Sequence, residues 1–312
     1  MKHLSIGIDI GGTNLRGGLV DHDGRILDRF RIPSDIAAGA ESFIGRLSAE
    51  IDTLIRAAET AKMPVSGIGI GIPGLIGNDG TVYSSVNMKP LDGVCLTKDV
   101  EQRSGIATIC ANDASMAAVG EHRFGAGSGL SSFIVITIGT GLGSGLILDS
   151  RLWTGAGGFA AEFGHLTIVE DGYPCPCGNR GCLEQYVSAP ALVRAMQVRC
   201  SAAGRILPEG LDAASLADMA RCGDDDAKAV FARAGEQLGM ALASIDNLLD
   251  LQGAVVCGGV ATSLDLMEKR IMATVAARSF PQISGTFRLL RGTLGDDAGL
   301  LGAAALARSR FS

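Results

Sequence analysis

Four residues with metal-binding side chains lie within one short segment of the chain. His165 is followed by Cys175, Cys177 and Cys182. Three thiolates and one imidazole form a ligand set that zinc takes in tetrahedral sites. Because four protein ligands close the coordination sphere, this pattern predicts a structural zinc. Core cysteines without a metal are the alternative, since Cys-x-Cys is a less common ligand spacing than Cys-x-x-Cys.

Two carboxylates bracket this cluster. Glu162 precedes His165 in a glycine-rich stretch that begins at Gly157, and Glu184 follows Cys182. Carboxylate oxygens accept hydrogen bonds from the vicinal hydroxyls of a sugar. Solvated surface carboxylates are the more common case. The position of the pair on either side of the cluster is what favours a binding role.

Two glycine-threonine turns each interrupt a pair of apolar runs. They are Asp9-Ile10-Gly11-Gly12-Thr13 and Thr137-Ile138-Gly139-Thr140-Gly141. Glycine lets backbone N–H groups approach an anion, and threonine adds a hydroxyl donor. One such turn is more often a plain hairpin, but two of them, with a diglycine at Gly258 and Gly259, predict phosphate binding. Neither turn has the lysine of a P-loop, so a nucleotide would bind between hairpins.

Asp113 lies between a predicted strand and a predicted helix. Its side chain could cap the helix, and the sequence alone favours this role as much as a catalytic one. In the catalytic interpretation, the carboxylate accepts a proton from a substrate hydroxyl that attacks a phosphoryl group. Asn112 beside it would help to orient that hydroxyl.

The hydrophobic pattern indicates the elements that must position these residues. Apolar runs predict a three-stranded meander, two buried strands, a hairpin and a last strand. The predicted strands are 4–10, 15–20, 25–32, 65–72, 106–110, 131–138, 145–148 and 253–257. Helices are predicted over 41–62 and 114–122, and residues 189–251 are predicted to be mostly helical. Strands followed by helices in two rounds indicate two α/β lobes.

The composition argues against several classes of protein. A length of 312 residues with 47% apolar residues suits about two domains. A net charge of −6 argues against a sequence-independent nucleic-acid binder. We expect neither export nor a membrane span, because the N-terminus lacks a secretory pattern and the uncharged stretch 124–148 is rich in glycine. The other cysteines are expected to be reduced core thiols, as in a cytoplasmic protein.

Together these motifs resemble those of the ROK family, the sugar kinases and sugar-responsive repressors, over nearly the whole chain. The resembling segments are 9–13 with Arg16, 112–114 with Glu121, 137–145, 162–165 and 175–184. The resemblance implies an α/β, two-lobed, actin-like (ribonuclease H-like) ATPase fold. It implies a smaller lobe over 1–115 and a larger lobe over 116–296 with the zinc-binding loop. A C-terminal helix, 297–312, would pack back on the smaller lobe.

The resemblance also implies a reaction and its residues. ATP would phosphorylate the 6-hydroxyl of a hexose, with Asp113 as the general base and Mg²⁺ bridging the ATP phosphates. The implied sugar ligands are Asn87, Asn112, Glu162, His165 and Glu184. The implied ATP-binding residues are Asp9, Gly11, Gly12, Thr13, Asn14, Gly139, Thr140, Gly141, Gly143, Gly258 and Gly259. Zn²⁺ would be held by His165, Cys175, Cys177 and Cys182, and a homodimer is expected.

Glucose is the expected sugar. The alternatives are N-acetylglucosamine, N-acetylmannosamine, fructose and allose, and a non-catalytic sugar sensor is the alternative from another class. The family's repressors carry a helix-turn-helix domain ahead of the sugar domain. Because the first phosphate motif here begins at Asp9, we expect neither that domain nor DNA binding.

The chain departs from the family pattern at three places. Ala161 and Val260 stand where the family usually has glycine. The segment after Pro73 reaches Asn87 and Met88 without the tryptophan that is often found downstream in glucokinase-like members. Alanine is expected to be a mild change. Valine cannot easily take a positive φ, which would hinder close approach of a nucleotide at that position.

Overall fold

The computed structural model describes residues 3–312. They form two compact units, here called unit 1 and unit 2. Unit 1 contains the chain up to Gly129 together with Gly145–Ala161 and Thr293–Ser312, and unit 2 contains Leu130–Ser144 and Glu162–Gly292. The chain therefore passes between the units four times.

The units are built from twelve strands and ten α-helices within the described residues. The strands are β1 (Leu4–Ile10), β2 (Asn14–Val20), β3 (Ile26–Pro33), β4 (Val65–Ile72), β5 (Leu75–Ile76), β6 (Val82–Ser84), β7 (Thr108–Asn112), β8 (Phe133–Ile138), β9 (Leu142–Leu148), β10 (Arg151–Trp153), β11 (Gly253–Cys257) and β12 (Arg288–Arg291). The helices are α1 (Ala40–Thr60), α2 (Leu96–Ser104), α3 (Asp113–Phe124), α4 (Glu184–Val187), α5 (Ala189–Ala202), α6 (Ala213–Arg221), α7 (Asp225–Leu249), α8 (Glu268–Arg278), α9 (Pro281–Ser284) and α10 (Ala298–Phe311).

The main sheet of unit 1 has the order β3-β2-β1-β4-β7. The meander β1–β2–β3 is antiparallel, and β4 and β7 add in parallel. Because β7 is at the sheet edge and parallel to β1, its last residue, Asn112, and the turn after β1 lie at the same end of the sheet. This is the edge that carries the candidate chemistry of unit 1.

Alternating glycine and isoleucine let a helix pack directly on this sheet. A Cβ built on Gly7 of β1 would lie 2.0 Å from the carbonyl oxygen of Leu300, and one on Gly69 of β4 would lie 1.9 Å from that of Ala303. Only glycine permits this approach of α10. The intervening isoleucines, such as Ile8 and Ile70, are fully buried in the core.

The second five-stranded sheet has the order β10-β9-β8-β11-β12. Strands β8, β11 and β12 are parallel to one another, and β9 and β10 are antiparallel. In unit 2, α7 packs against α5, α6 and α8. Leu238 and Leu242 of α7 are fully buried in this helical layer.

The strand and helix predictions are confirmed for most of the chain. The meander, the two buried strands and the hairpin all form, and residues 189–251 fold as α5, α6 and α7. The prediction that 253–257 is the last strand is wrong, because β12 follows it and pairs with β11. The short strands β5 and β6 were not predicted, since two or three residues are too few to show an alternating pattern.

Helix α3 belongs to unit 1, whereas the lobe boundary expected at residue 115 divides it. The reason is close packing of α3 on α10. A Cβ on Gly120 would lie 2.2 Å from the Ala298 carbonyl oxygen, and one on Gly302 would lie 1.7 Å from that of Met116. The C-terminal helix packs on β1, β4 and α3 of this unit.

Among the described residues, no helix has both the length and the apolar character needed to cross a membrane. The uncharged stretch 124–148 instead forms β8 and β9, as the glycine content predicted.

Candidate functional site

Asp113 is the first residue of α3, and its neighbour Asn112 caps that helix. The Asn112 side-chain oxygen accepts hydrogen bonds from Ala114 N at 2.9 Å and Ser115 N at 3.3 Å. Its Nδ2 donates to the Gly74 carbonyl oxygen at 3.1 Å. The N-cap of α3 is therefore Asn112, and not Asp113 as the capping interpretation of the sequence had it. Asp113 also accepts from Ala114 N, at 2.9 Å, so its carboxylate stands at the positive end of the helix.

The turn between β1 and β2 is held by backbone and by one serine. Gly11 N donates to the Asn14 carbonyl oxygen at 2.9 Å, and Ser34 bonds both Gly11 O through its hydroxyl and Thr13 O through its N–H. Within residues 3–312, the N–H groups of Gly12 and Thr13 have no acceptor, and both residues are exposed. Two unpaired N–H groups on a rigid, exposed turn suit an anion such as phosphate.

Asn87 lies beside this turn. A Cβ built on Gly12 would be 3.6 Å from the Cβ of Asn87, and the Asn87 side chain is exposed. The structure therefore places Asn87 next to the predicted phosphate turn of the same unit.

Asp9 is a partly buried carboxylate in a charged group of which the sequence indicated only a part. Arg16 Nε lies 3.5 Å from Asp9 Oδ2, and the Arg16 guanidinium also lies 3.1 Å from Asp296 Oδ2. Burial raises the pKa of Asp9, Arg16 opposes the shift and Asp296 adds to it. Asp296 is 280 residues from Arg16, so no local pattern could have shown the contact.

In unit 2, the turn between β8 and β9 is fastened to Glu184. Gly139 N donates to the Gly141 carbonyl oxygen at 2.9 Å, and Leu142 N donates to Glu184 Oε2 at 2.9 Å. A Cβ on Gly141 would lie 2.7 Å from that same carboxylate oxygen. Glu184 was predicted as a sugar ligand, and the structure shows that one of its oxygens already supports the turn between β8 and β9.

Glu162 and His165 lie together at a single turn of 3₁₀ helix, Phe163–His165. Glu162 Oε2 is 3.8 Å from His165 Nε2. Burial raises the pKa of Glu162, the imidazole of His165 opposes the shift, and the Glu184 carboxylate adds to it. The three predicted sugar ligands of unit 2 are therefore neighbours.

The other face of His165 meets the three cysteines. Its Nδ1 lies 3.6 Å from Cys175 Sγ, and Cys177 Sγ lies 3.7 Å from Cys182 Sγ. All four ligand atoms are within 4.8 Å of one another. Burial, followed by hydrogen bonds with the other two thiols, raises the pKa of Cys182 to about 12. Burial raises the pKa of Cys175 as well, so two of the three thiols resist ionisation by themselves, which is the situation that a bound cation reverses. We call residues 165–182 the cysteine loop.

The two departures from the family's glycines have different consequences. Gly258 has φ +83°, and a Cβ there would lie 2.5 Å from the Ile138 carbonyl oxygen. Val260 is buried in the 3₁₀ helix Gly259–Leu266 and has no positive φ, so valine carries no backbone strain at this position. Ala161 has φ +68°. Alanine in the left-handed region costs about 1 kcal/mol, so the expectation of a mild change at Ala161 stays a prediction.

The predicted residues thus form two groups, each described within its own unit. The group in unit 1 contains Asp9, Gly11, Gly12, Thr13, Asn14, Asn87, Asn112 and Asp113. The group in unit 2 contains Gly139, Thr140, Gly141, Gly143, Glu162, His165, Glu184, Gly258, Gly259 and the three cysteines. Ser34, which holds the first turn, was missed because a serine at the end of a strand carries no distinctive signal.

A sequence profile described as the ROK family matches residues 5–310. The chain is 35% identical to the glucokinase of Streptomyces coelicolor and 33% identical to that of Thermotoga maritima, over 98% of this chain and 98% of each relative. It is also 32% identical to an N-acetylmannosamine kinase of Escherichia coli, over 97% of this chain and 98% of that protein.

Solved structures agree over the same length. A crystal structure of a ROK family glucokinase from Streptomyces griseus, in complex with glucose and AMPPNP, matches with a TM-score of 0.78 and 36% identity, over 98% of this chain and 99% of that one. The ROK hexokinase of Thermus thermophilus matches with a TM-score of 0.83 and 29% identity, over 99% of both chains.

Proposed function

Because this chain belongs to the ROK family, we propose that it is an ATP-dependent hexose kinase that phosphorylates the 6-hydroxyl of glucose. The observation that carries the proposal is the full-length likeness to the S. griseus glucokinase, whose crystal structure holds glucose and AMPPNP. The chain has the α/β, actin-like (ribonuclease H-like) ATPase fold of these kinases, with one five-stranded sheet following another.

Asp113 acts as the general base in this mechanism. Its carboxylate accepts the proton of the sugar 6-hydroxyl as that oxygen bonds to the γ-phosphorus of ATP, while the bond from this phosphorus to the bridging oxygen breaks and ADP leaves. Asn112 Nδ2 has two hydrogens, of which one is bonded to the Gly74 carbonyl oxygen. The second hydrogen is available to orient the sugar hydroxyl toward Asp113.

Each glycine-threonine turn, within its own unit, is assigned to phosphate binding. The exposed N–H groups of Gly12 and Thr13 and the turn at Gly139–Gly141 provide donors that suit phosphate oxygens. Asp9 fits a role beside Mg²⁺, because its partly buried carboxylate has a raised pKa that a divalent cation would lower again. When bound, Mg²⁺ neutralises charge on the phosphates.

Zinc fits the cysteine loop. Zn–S bonds of about 2.3 Å and Zn–N bonds of about 2.0 Å set tetrahedral ligand atoms about 3.5–3.8 Å apart. The measured separations of 3.6 Å and 3.7 Å match these edges. With four protein ligands the ion would be structural, and it would fix His165 so that Nε2 and Glu162 face the sugar. Metal analysis of the purified protein should find about one zinc per chain.

The sugar is identified by coupled ADP release with Mg²⁺-ATP. The panel contains glucose, mannose, fructose, allose, N-acetylglucosamine and N-acetylmannosamine. Glucose should give the highest kcat/KM. A preference for N-acetylmannosamine would transfer the assignment to the activity of the E. coli relative. No ADP with any sugar, from folded protein that contains zinc, would favour the non-catalytic sugar sensor.

We also infer a cytoplasmic homodimer that does not bind nucleic acid. All eight cysteines are free thiols, which suits a reducing compartment, and the net charge of −6 opposes contact with phosphodiester backbones. The inference of a dimer comes only from the resemblance to the ROK family. Light scattering coupled to gel filtration would measure the mass of the assembly.

A further inference from the structure

Unit 1 contains a cavity of about 570 Å³. Fourteen of the described residues line it, and all of them belong to unit 1. They come from β5 and the turn after it, from α2 and β7, from β10 and the loop after it, and from the end of α10. None of these lining residues is among those assigned to sugar, ATP or zinc. Because small-molecule sites occupy about 300–1,000 Å³, the cavity is large enough for a ligand of its own.

The cavity lies along the free edge of β7, whose residues 108–111 line it. Among the described strands, β7 pairs with β4 alone. Ile68 N donates to the Ala107 carbonyl oxygen at 2.9 Å, and the backbone groups of successive strand residues point to opposite sides. The N–H group of Cys110 is therefore directed away from β4, and within residues 3–312 it has no acceptor. This edge of the sheet is open to a ligand.

Arg310 gives the cavity a positive charge. It is an exposed residue in the last turn of α10, and its guanidinium has neither an ion pair nor a hydrogen bond within the described part of the chain. The lining residues include no carboxylate, and burial raises the pKa of the Cys110 thiol, which therefore stays neutral. A guanidinium holds a carboxylate or a phosphate through two parallel hydrogen bonds. An unpaired arginine beside a cavity without acids favours an anionic ligand.

The larger part of the cavity wall is apolar. The apolar side chains include those of Ile76, Ile109, Leu152, Leu306 and Phe311. A sugar would lie with its hydroxyl groups against these side chains and without a carboxylate to accept from them. A nucleoside triphosphate would place several negative charges beside one arginine. An apolar body with one anionic group matches both the wall and its single cation.

We propose that this cavity is a ligand site separate from the kinase site, and that it takes an organic anion with an apolar body and one carboxylate or phosphate group. The anionic group pairs with Arg310, and the apolar body lies against Leu152, Leu306 and Phe311. Both interactions are within unit 1, and neither requires the kinase assignment to be correct.

Isothermal titration calorimetry with four probes tests the proposal. Octanoate and octyl phosphate carry the two candidate anionic groups on the same apolar chain. Octanol has the chain without the charge, and acetate has the charge without the chain. At least one of the two eight-carbon anions should bind about threefold or more tighter than octanol and about tenfold or more tighter than acetate. Octanol binding as tightly as both anions would overturn the proposal. Absence of binding by either anion, as when a second copy of the chain covers the cavity, would also overturn it.

Arg310→Gln should weaken binding of the preferred anion about threefold to tenfold, a modest effect because the arginine is exposed to solvent. Binding of octanol should not change. The control is Arg278→Gln, because Arg278 is also an exposed arginine in the last turn of a helix, α8, and does not line the cavity. Wild-type binding of the anion by Arg310→Gln would contradict the proposed ion pair and overturn the assignment.

Leu152→Trp tests the cavity itself, because the larger side chain should fill part of it. Binding of the anion should weaken about tenfold. Leu27→Trp, at an exposed leucine of β3 outside the lining, is the control and should bind the anion like the wild type. Unchanged binding by Leu152→Trp would place the anion elsewhere on the protein, against the proposal.

Competition with the kinase substrates shows whether the two sites are separate. Saturating Mg²⁺-AMPPNP and glucose should leave the affinity for the anion unchanged, and the bound anion should protect residues 108–111 and 306–311 from hydrogen exchange. Displacement of the anion by AMPPNP or glucose, or protection confined to other segments, would overturn the proposal. A protein that binds the anion in this cavity but releases no ADP with any sugar would overturn the kinase function alone.

Discussion

Asp113 and the cysteine loop are positioned in opposite ways. Asp113 stands where β7 passes into α3, and both elements are held by backbone hydrogen bonds and by the Asn112 cap. The cysteine loop contains little regular secondary structure. It follows the 3₁₀ turn Phe163–His165 and contains two isolated β-bridges, Thr167 with Cys182 and Pro174 with Arg180. One site is therefore supported by the fold, and the other by the side chains at its own centre.

Because of this difference, a substitution at Asp113 in unit 1 should lower activity without lowering stability. A substitution in the cysteine loop of unit 2 should lower both. Removing the carboxylate of Asp113 leaves β7, α3 and the Asn112 cap intact. Removing a thiol from the cysteine loop removes part of what holds the loop in place.

The largest effect is expected for Asp113→Asn. Without a general base, kcat should fall about 10²- to 10⁴-fold. The free energy of unfolding should change by less than about 1 kcal/mol, because the cap belongs to Asn112. Steady-state ADP release and urea unfolding measure the two quantities. The control is Asp99→Asn, an aspartate in the first turn of α2. Turnover near the wild-type rate in Asp113→Asn would remove the assignment of the base.

Cys177→Ser should lower zinc content, stability and activity together. A loss of about 3 kcal/mol would lower the melting temperature by about 6–12 °C. The kcat/KM for glucose should fall about tenfold to a hundredfold, because His165 is no longer fixed. Metal analysis and differential scanning fluorimetry test this. Cys222→Ser, at an exposed cysteine outside the loop, is the control and should match the wild type. Full zinc content in Cys177→Ser would exclude this thiol as a ligand.

Asn112→Ser separates the two roles of one residue. Serine is as good an N-cap as asparagine, so stability should stay within about 1 kcal/mol of wild type. The Nδ2 donor is lost, and kcat/KM should fall about tenfold through the loss of a hydrogen bond to the sugar. Asn112→Ala is the reference, since it loses both roles. Equal activity of the serine variant and the wild type would show that Asn112 only caps α3.

The smallest effect is expected at Ala161, which precedes Glu162 and has φ +68°. Ala161→Gly removes the strain on Cβ but adds freedom to the unfolded chain. The net gain in the free energy of unfolding should be about 0.5–1 kcal/mol. Urea unfolding measures it, with Ala156→Gly in the same loop as the control at a residue with no positive φ. A destabilised Ala161→Gly would mean that the methyl group makes contacts that outweigh its strain.

Much of the fold could be predicted because its signals are local. The runs of isoleucine and valine in β1, β4 and β8, and the helical period of α1, are each contained within one element. The sheet order could not be predicted, because β1 pairs with β4 across α1 and β11 pairs with β8 across four helices. Strand pairing depends on how side chains of different strands pack, and the hydrophobic periodicity within one strand does not reveal its partner.

The candidate site also has features that the sequence could predict and features that it could not. The glycine-threonine turns and the Cys-x-Cys spacing are short patterns whose chemistry is readable from residue type. Which residue caps α3, and which oxygen of Glu184 supports the β8–β9 turn, depend on where backbone N–H groups point. Those directions exist only after the strands and helices have packed.

By itself, the sequence determined the meander and predicted the candidate ligand types and Asp113 as a candidate base, because each depends on neighbouring residues and their side-chain chemistry. Only the tertiary structure decided that Asp296 meets Arg16, that Glu121 binds the backbone of Thr293 and Leu294, and that Ala161 rather than Val260 is strained. The physical reason is distance along the chain. The packing of whole elements sets the contacts between residues more than a hundred positions apart. It also sets the φ angle of Ala161, where the chain passes from one unit to the other.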